Sequence, residues 1–326
     1  MLRPTVGTAA KVAVVDCEPE DEALLGRLRH DAPTRVAFGP PTPEELVERA
    51  DGAAVLVTLY TYTRVTAAVL DRLPALRLVA TRTAGYSHID AVAAAAREVA
   101  VSVVPAAATQ SVAEYTFGAL LALQRQLFEA RASTRDGRWD YRAFRGFELA
   151  GRTLGIVGPG RIGVRVAELG RAFGMQVIGW SPSGRAVDGI EPVALEELLA
   201  RSDVVSVNVA LSEETRGLLD DSRLGLMKPT AILVNTARGG IVDDEALRRR
   251  LEAGLLGGAV LDVLETEPPG EELAALAAAP NVLVTPHVAW HTGEALARQF
   301  AETTENVLAF LAGSPRNLVR VAGLVT

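Results

Sequence analysis

Short apolar runs alternate with amphipathic stretches along the first third of the chain. The apolar runs predict strands at 11–16, 53–58, 76–81 and 101–104. Between them, apolar residues at helical spacing predict helices at 20–29, 43–50, 66–73 and 91–98. Strands that alternate with helices favour a parallel sheet, because each crossover helix returns the chain to the same edge. This part of the chain therefore predicts a doubly wound α/β unit.

The same alternation resumes in the second half of the chain. It predicts strands at 153–157, 176–180, 204–207, 231–235, 258–261 and 282–285, separated by helices such as 162–173, 195–201 and 244–253. Two long amphipathic helices, 112–137 and 292–313, flank this block. We therefore predict an α/β fold of two doubly wound, parallel-sheet, Rossmann-like domains. The second domain, 109–290, is inserted into the first, which consists of 1–108 and 291–326.

The first strand of the inserted domain leads directly into glycines at Gly158, Gly160 and Gly163. A strand before this GxGxxG pattern and a helix after it are the context of a dinucleotide-binding fingerprint. Gly158 permits the tight turn, Gly160 lets backbone N–H groups approach a pyrophosphate, and Gly163 lets the helix pack on the sheet. The helix begins near Arg161 and Ile162, and its N-terminus faces the anion. The inserted domain is therefore the predicted cofactor domain.

The residue after the second strand of this domain bears on the choice of cofactor. An acidic residue here normally binds the ribose 2′-OH of the adenosine, but this chain has Ser181. Without that carboxylate, a 2′-phosphate is not repelled, and Ser181, Ser183 and Arg185 can donate hydrogen bonds to one. The alternative is that residues 183–188 form a solvated loop and Ser181 holds the 2′-OH weakly. NAD(H) and NADP(H) both remain open.

Charge and composition narrow the classes of partner. The formal net charge is −7, with no basic stripe for nucleic acid and no polybasic cluster for a membrane surface. No uncharged apolar stretch reaches spanning length, so we expect a soluble cytoplasmic protein. Cys17 is the only cysteine and is expected to be structural, and no metal site is predicted. A local positive pocket for a small anion is still allowed.

Three polar residues, Arg238, Glu267 and His287, each follow a predicted strand of the cofactor domain. Ligands of doubly wound sheets bind outside the carboxyl ends of the strands, so these side chains are expected to converge. An arginine can hold a carboxylate by two parallel hydrogen bonds. A histidine supported by a buried glutamate has a raised pKa and can protonate a carbonyl oxygen near neutral pH. Singly, each residue has an ordinary structural explanation, but together they favour an acid/base site.

The chain resembles the D-isomer-specific 2-hydroxyacid dehydrogenases over nearly its whole length. The matching segments are TRTAGYSHID (81–90), SVAEYT (111–116), GPGRIG (158–163), LVNTARGGIVD (233–243), LDVLETEP (261–268) and TPHVAW (285–290). The resemblance implies that Arg238 binds the substrate carboxylate and carbonyl. It also implies that His287 is the acid/base and that Glu267 sets the pKa of this histidine. Glu267 stands where the formate dehydrogenase branch carries glutamine, which argues against formate.

The resemblance also implies contacts for substrate and cofactor. The backbone at Ala84, Gly85 and Tyr86 would bind the substrate carboxylate, and Asp262 would contact the nicotinamide carboxamide. The predicted cofactor-binding residues are, in full, Gly158, Gly160, Arg161, Ile162, Gly163, Ser181, Thr236, Ala237 and Asp262.

Several segments look most like the D-lactate dehydrogenase branch of the family. Tyr62 and Trp290 fall where that branch has aromatic residues near the substrate. The pattern departs at Ala107, where the branch has a second tyrosine, and at His291. A pocket with Ala107 is larger or differently polar, so oxo acids other than pyruvate stay open.

The sequence thus predicts NAD(P)-dependent reduction of a small 2-oxo acid to the D-2-hydroxy acid, and the reverse reaction. One alternative is a reductase of glyoxylate, hydroxypyruvate or a larger or phosphonate-bearing oxo acid. Another is a corepressor-like protein that senses a dinucleotide without turnover. The resemblance also implies a homodimer formed through the cofactor domain, with 112–127 as a candidate interface core. A helix buried within one chain would show the same pattern.

Overall fold

The computed structural model of the protein describes residues 11–279 and 281–320. Contacts between Cα atoms divide the chain into two compact units. One unit contains the residues up to Ala108 and those from Thr292 onward, and the other runs from Thr109 to His291. The division lies within one residue of the boundaries expected from the hydrophobic pattern.

The first unit is built on a five-stranded parallel sheet in the order β2-β1-β3-β4-β5. The strands are β1 (Val12–Cys17), β2 (Thr34–Phe38), β3 (Val55–Thr58), β4 (Leu78–Thr81) and β5 (Ala100–Ser102). Strand β2 was not predicted from the sequence. It lies at the sheet edge and none of its residues is fully buried, so it lacks the continuous apolar run of a central strand.

In the part of this unit up to Ala108, the helices are α1 (Gly26–Asp31), α2 (Pro43–Ala50), α3 (Ala67–Asp71) and α4 (Ala91–Ala96). Helix α2 begins at a capping box, in which Thr42 and Glu45 each accept a backbone hydrogen bond from the other. The single helix predicted at 20–29 is wrong. Its first part is a 3₁₀ stretch, Pro19–Leu25, that precedes α1.

The second unit is built on a seven-stranded parallel sheet in the order β12-β11-β10-β9-β6-β7-β8. The strands are β6 (Thr153–Val157), β7 (Gln176–Trp180), β8 (Glu191–Pro192), β9 (Val204–Val207), β10 (Ile232–Asn235), β11 (Gly258–Leu261) and β12 (Val282–Val284). The strand order reverses between β6 and β9, which creates the crevice where doubly wound sheets bind ligands.

The helices of the second unit are α5 (Thr109–Gln124), α6 (Leu127–Arg135), α7 (Arg161–Ala172), α8 (Leu195–Arg201), α9 (Asp221–Leu224), α10 (Asp244–Glu252) and α11 (Glu271–Ala278). The final helix, α12 (Gly293–Leu311), packs on the first sheet. The single helix predicted at 112–137 is wrong, because Gln126 adopts a left-handed backbone (φ 51°) that separates α5 from α6. Helix α5 packs against α7 and buries Phe117 and Leu120. Its apolar character is thus accounted for within the chain.

The predicted fold class is confirmed: both units are parallel-sheet, Rossmann-like α/β domains. Strands β6, β9, β10 and β11 are almost entirely buried, as expected for strands covered on both faces. In the part of the chain that the structure describes, no helix is both long enough and apolar enough to cross a membrane.

Candidate active site

The glycine turn after β6 is closely packed at Gly158 and Gly163 and open at Gly160. Gly158 has a φ of 97°, and a Cβ there would lie 2.6 Å from the backbone nitrogen of Val209. A Cβ on Gly163 would lie 2.3 Å from the carbonyl oxygen of Gly158, so α7 packs directly on the turn. A Cβ on Gly160, by contrast, would meet no described atom within 4 Å. This open space at the N-terminus of α7, which begins at Arg161 and Ile162, fits an anion.

The residues after β7 offer hydroxyl groups and a guanidinium. Ser181 is half-buried, and its Oγ lies 3.3 Å from the Oγ of Ser183. Arg185 is exposed. No acidic residue occurs from Ser181 to Val187. This segment therefore carries no carboxylate that would repel a 2′-phosphate.

Asp262 directly follows β11 and organises the turn after β12. Its carboxylate is buried and accepts hydrogen bonds from Thr285 Oγ1 (2.8 Å), Val288 N (2.9 Å) and Ala289 N (2.8 Å). Its backbone oxygen accepts from the N–H of His287 (2.9 Å). Burial raises the pKa of Asp262, although these hydrogen bonds oppose the shift. Asp262 thus fixes the backbone that carries His287, and its contact with a nicotinamide stays a prediction.

His287 and Glu267 form a close pair at this turn. The Nδ1 of His287 lies 2.7 Å from Oε2 of Glu267, and the N–H of Leu264 donates to Oε1 of the same carboxylate (3.1 Å). Burial acts to raise the pKa of Glu267, but the contacts with His287, Leu264 and Arg238 bring this pKa below its ordinary value. Because Nδ1 is used by the carboxylate, Nε2 is left to exchange a proton. The expectation of a buried glutamate is wrong, since its side chain is 37 % exposed.

Arg238 follows β10 on a turn that Asn235 holds. The side chain of Asn235 donates to the carbonyl oxygen of Arg238 (3.0 Å) and accepts from Ala237 N (3.1 Å). Nη1 of Arg238 donates to the carbonyl oxygen of Ala237 (2.6 Å). Burial lowers the pKa of Arg238 and the charge of Glu267 opposes this, but a guanidinium keeps its charge at any ordinary pH. The half-buried guanidinium is therefore available to an anion.

Gly239 lets this turn pack against the loop that carries Glu267. A Cβ on Gly239 would lie 1.8 Å from the backbone carbonyl carbon of Leu264, so only glycine fits. The sequence reasoning missed this role and those of Asn235 and Thr285. The pair of glycines directly after Arg238 was the available signal, because a strand end followed by Gly-Gly indicates a close approach of backbones.

The structure brings together Arg238, Glu267 and His287, which follow the adjacent strands β10, β11 and β12. Of the other predicted residues in this unit, Thr236 is buried with its Oγ1 3.3 Å from that of Thr116. The ring of Trp290 lies 5.0 Å from the ring of His291, edge to face.

The remaining predicted substrate residues belong to the first unit. Tyr62 is 47 % exposed, and its hydroxyl donates to Glu18 Oε1 (3.2 Å). Ala84 and Tyr86 are exposed, and the carbonyl oxygen of Gly85 accepts from Thr83 Oγ1 (2.6 Å). Ala107 is buried, and its carbonyl oxygen accepts from Arg298 Nε (2.9 Å).

Comparisons with known proteins agree with the resemblance. The family model described as D-isomer specific 2-hydroxyacid dehydrogenase, NAD binding domain, matches residues 117–289. A glyoxylate reductase from Aeropyrum pernix is 40 % identical over 333 residues, which cover 98 % of this chain and 96 % of the relative.

Two solved structures extend the likeness to the whole fold. An acyclic imino acid reductase in complex with NADPH and D-Arg has 31 % identity and a TM-score of 0.88, covering 95 % of this chain and 100 % of that one. A D-lactate dehydrogenase from Aquifex aeolicus, complexed with NAD and lactic acid, has 31 % identity and a TM-score of 0.85, covering 93 % and 96 %. The chain therefore belongs to the D-isomer specific 2-hydroxyacid dehydrogenase family, whose members are oxidoreductases that use a nicotinamide dinucleotide.

Proposed function

We propose that the protein reduces a small 2-oxo acid to the D-2-hydroxy acid, and catalyses the reverse, through Arg238, Glu267 and His287. The observation that carries this proposal is the 2.7 Å contact between His287 and Glu267, at the same sheet edge as the guanidinium of Arg238. We expect glyoxylate and hydroxypyruvate to be better substrates than pyruvate. The 40 % identity to a glyoxylate reductase favours this order.

The dinucleotide, when bound, supplies the hydride that adds to the carbonyl carbon. Arg238 holds the substrate carboxylate and polarises the carbonyl. His287 gives the proton from Nε2 to the carbonyl oxygen, and the ionised Glu267 stabilises the imidazolium through Nδ1–H. In the oxidative direction His287 takes this proton back. The resemblance also assigns the backbone at 84–86 and the rings of Tyr62 and Trp290 to the substrate, and these contacts stay predictions.

The test is steady-state oxidation of NADH and NADPH by the purified protein. The panel contains glyoxylate, hydroxypyruvate, pyruvate, 2-oxobutyrate, phenylpyruvate and 2-oxoglutarate, with chiral analysis of every product that has a stereocentre. We expect turnover of glyoxylate or hydroxypyruvate, and the D-isomer wherever a chiral acid forms. Tight dinucleotide binding without turnover of any of these acids would instead favour the corepressor-like alternative.

We further propose that the segment after β7 accepts NADPH. Ser181, Ser183 and Arg185 supply hydrogen-bond donors, and the imino acid reductase of similar fold was solved with NADPH. In Arg185→Ala, we expect the Kd for NADPH to rise about tenfold, as for a lost charged hydrogen bond, while the Kd for NADH stays unchanged. Equal effects on both cofactors would contradict a 2′-phosphate contact.

We also propose that the protein is a homodimer through the segment 127–141 of the cofactor domain. This segment carries four large apolar side chains, Leu127, Phe128, Trp139 and Tyr141, which are 53 %, 56 %, 92 % and 84 % exposed. Side chains of this size are rarely exposed together on a monomer. In a sedimentation experiment, the unsubstituted protein should be a dimer, whereas the double variant Trp139→Ser/Tyr141→Ser should be a monomer. An unsubstituted protein that sediments as a monomer would contradict the proposal.

A further inference from the structure

A second buried carboxylate, that of Asp16, accepts hydrogen bonds from a turn and has no role in the proposed reaction. Asp16 lies near the end of β1 and is fully buried. Its Oδ1 accepts from Leu59 N (2.8 Å), and its Oδ2 accepts from Tyr60 N (3.2 Å) and Thr63 Oγ1 (2.5 Å). Strands β1 and β3 are parallel neighbours, so their carboxyl ends share one edge. Asp16 therefore ties down the turn 59–63, which follows β3.

This turn presents an ordered stack of side chains. The rings of Tyr60 and Tyr62 stack at 5.1 Å with an interplanar angle of 5°. The guanidinium of Arg82 lies 4.4 Å from the Tyr60 ring centre and 5.2 Å from that of Phe300, and its Nε donates to the carbonyl oxygen of Leu59 (2.9 Å). Phe300 and Arg82 are buried, whereas Tyr62 is exposed at the outer end. The position of the Tyr62 ring thus depends on the turn.

We propose that Asp16 is a positioning residue that sets the place of the Tyr62 ring for the oxo-acid side chain. This inference rests on the proposed function, which assigns Tyr62 to the substrate. Three donors converge on the carboxylate, and a carboxylate has acceptors for all of them. An asparagine of the same shape would direct an N–H₂ group at one of these donors. The turn would then have to move.

The positive charge of Arg82 acts on Asp16 as well as on Asp21. Nη1 of Arg82 lies 3.8 Å from Oδ1 of Asp21, and Asp21 also accepts from the Tyr60 hydroxyl (2.5 Å). Burial raises the pKa of Asp16 to about 6, against the hydrogen bonds of the turn and the charge of Arg82. A neutral residue would be easier to bury at neutral pH, so the acceptor geometry is what the carboxylate contributes.

The test compares Asp16→Asn with Leu46→Ala. Leu46 packs with Ala13 and Val15 on the face of the sheet opposite Phe300, so its replacement loosens the same domain without touching the turn. In Asp16→Asn we expect amide hydrogen exchange of Leu59 and Tyr60 to accelerate more than in Leu46→Ala. We expect the KM for the oxo acid to rise about tenfold, with kcat changed by less than about threefold.

A second pair of variants tests the same contact without changing the carboxylate. Thr63→Val removes the hydroxyl donor and should raise KM and the exchange rate, whereas Thr63→Ser keeps the donor and should restore both. The Kd for the dinucleotide should stay unchanged in all four variants, because the glycine turn after β6 lies in the other unit.

The proposal is overturned if Asp16→Asn accelerates exchange at the turn no more than Leu46→Ala does, or if KM is unchanged. If Asp16→Asn does not fold, the comparison of Thr63→Val with Thr63→Ser decides the question by the same readouts. If the unsubstituted protein turns over no oxo acid, the proposed function fails by itself. The exchange rates then still show whether Asp16 holds the turn.

Discussion

The two sheets have the same local arrangement at the carboxyl ends of their strands, but the residues that it positions have different proposed roles. Asp16 in the first unit and Asp262 in the second are both buried, and each accepts two backbone N–H groups and one threonine hydroxyl. Each holds the turn after the neighbouring strand. In the second unit that turn carries His287, which reacts in the proposed mechanism, and in the first it carries Tyr62. The buried aspartate should therefore affect turnover in the second unit and substrate recognition in the first.

The arginines at the two edges, in contrast, differ in how exposed they are. Arg82 is 1 % exposed, and its guanidinium is enclosed by aromatic rings and a backbone carbonyl. Arg238 is half-buried, and its Nη1 donates to the adjacent carbonyl oxygen of Ala237. An enclosed cation stabilises the fold, whereas a half-buried cation can bind a ligand. Position along a strand end is thus not enough to assign a function, because accessibility decides it.

The largest effect is expected for His287→Gln. The substitution removes the proton donor, so kcat should fall by about 10² to 10⁴, the usual contribution of a general acid. Dinucleotide binding should not change, because the glycine turn lies after a different strand. Steady-state kinetics and a cofactor titration check this, with His30→Gln as a control, since His30 is 86 % exposed. Turnover that survives in His287→Gln would remove this residue from the mechanism.

A smaller effect is expected when each arginine is replaced by lysine. Arg238→Lys loses the two-pronged hold on a carboxylate, so kcat/KM should fall about 10- to 100-fold with little change in Tm. Arg82→Lys should instead lower Tm, because a buried cation loses the bond to Leu59 and its stacking. Thermal denaturation and kinetics on the same preparations separate the two. A loss of Tm in Arg238→Lys as large as in Arg82→Lys would contradict the distinction.

The sequence predicted the central strands best, and for a physical reason. Strands β6, β7, β9 and β11 have the predicted bounds, because strands covered on both faces appear as continuous apolar runs. Strand β2 lies at an edge and has no such run. The break at Gln126 carries no glycine or proline, so nothing in the local sequence marked it. Elements that depend on tertiary contacts are those that the pattern missed.

The candidate site shows the same difference between features that the sequence pattern indicates and features that depend on tertiary contacts. The strand-end rule predicted that Arg238, Glu267 and His287 converge at one edge of the sheet. It could not give the exposure of Glu267, because that depends on which loops cover the carboxylate. Nor did it indicate Asp16, since a carboxylate near a strand end is common and its three donors come from a turn more than forty residues away.

A pH experiment sharpens the role of Asp16. Its pKa is about 6 in the folded protein and 3.8 ordinarily, so the folded state holds the proton more tightly between these values. The stability that this group contributes is therefore greatest at low pH and is lost as pH rises through this window. Between pH 4.5 and 7, the free energy of unfolding of the unsubstituted protein should fall by about 2 kcal/mol relative to Asp16→Asn. Urea denaturation of both proteins measures this difference. A constant difference across the range would mean that Asp16 titrates at its ordinary pKa.

The smallest effect is expected for Tyr62→Phe. The variant keeps the ring stacked on Tyr60 and loses one hydrogen bond to the exposed Glu18, so the KM for the oxo acid should change by less than about threefold. Tyr62→Ala, which removes the ring, should raise KM more. Kinetics of both variants at saturating cofactor check this. If Tyr62→Phe instead lowered kcat tenfold or more, the hydroxyl itself would act on the substrate. The edge of the smaller sheet would then supply chemistry, as the edge of the larger sheet is proposed to do, and the contrast between the two anchored turns would fail.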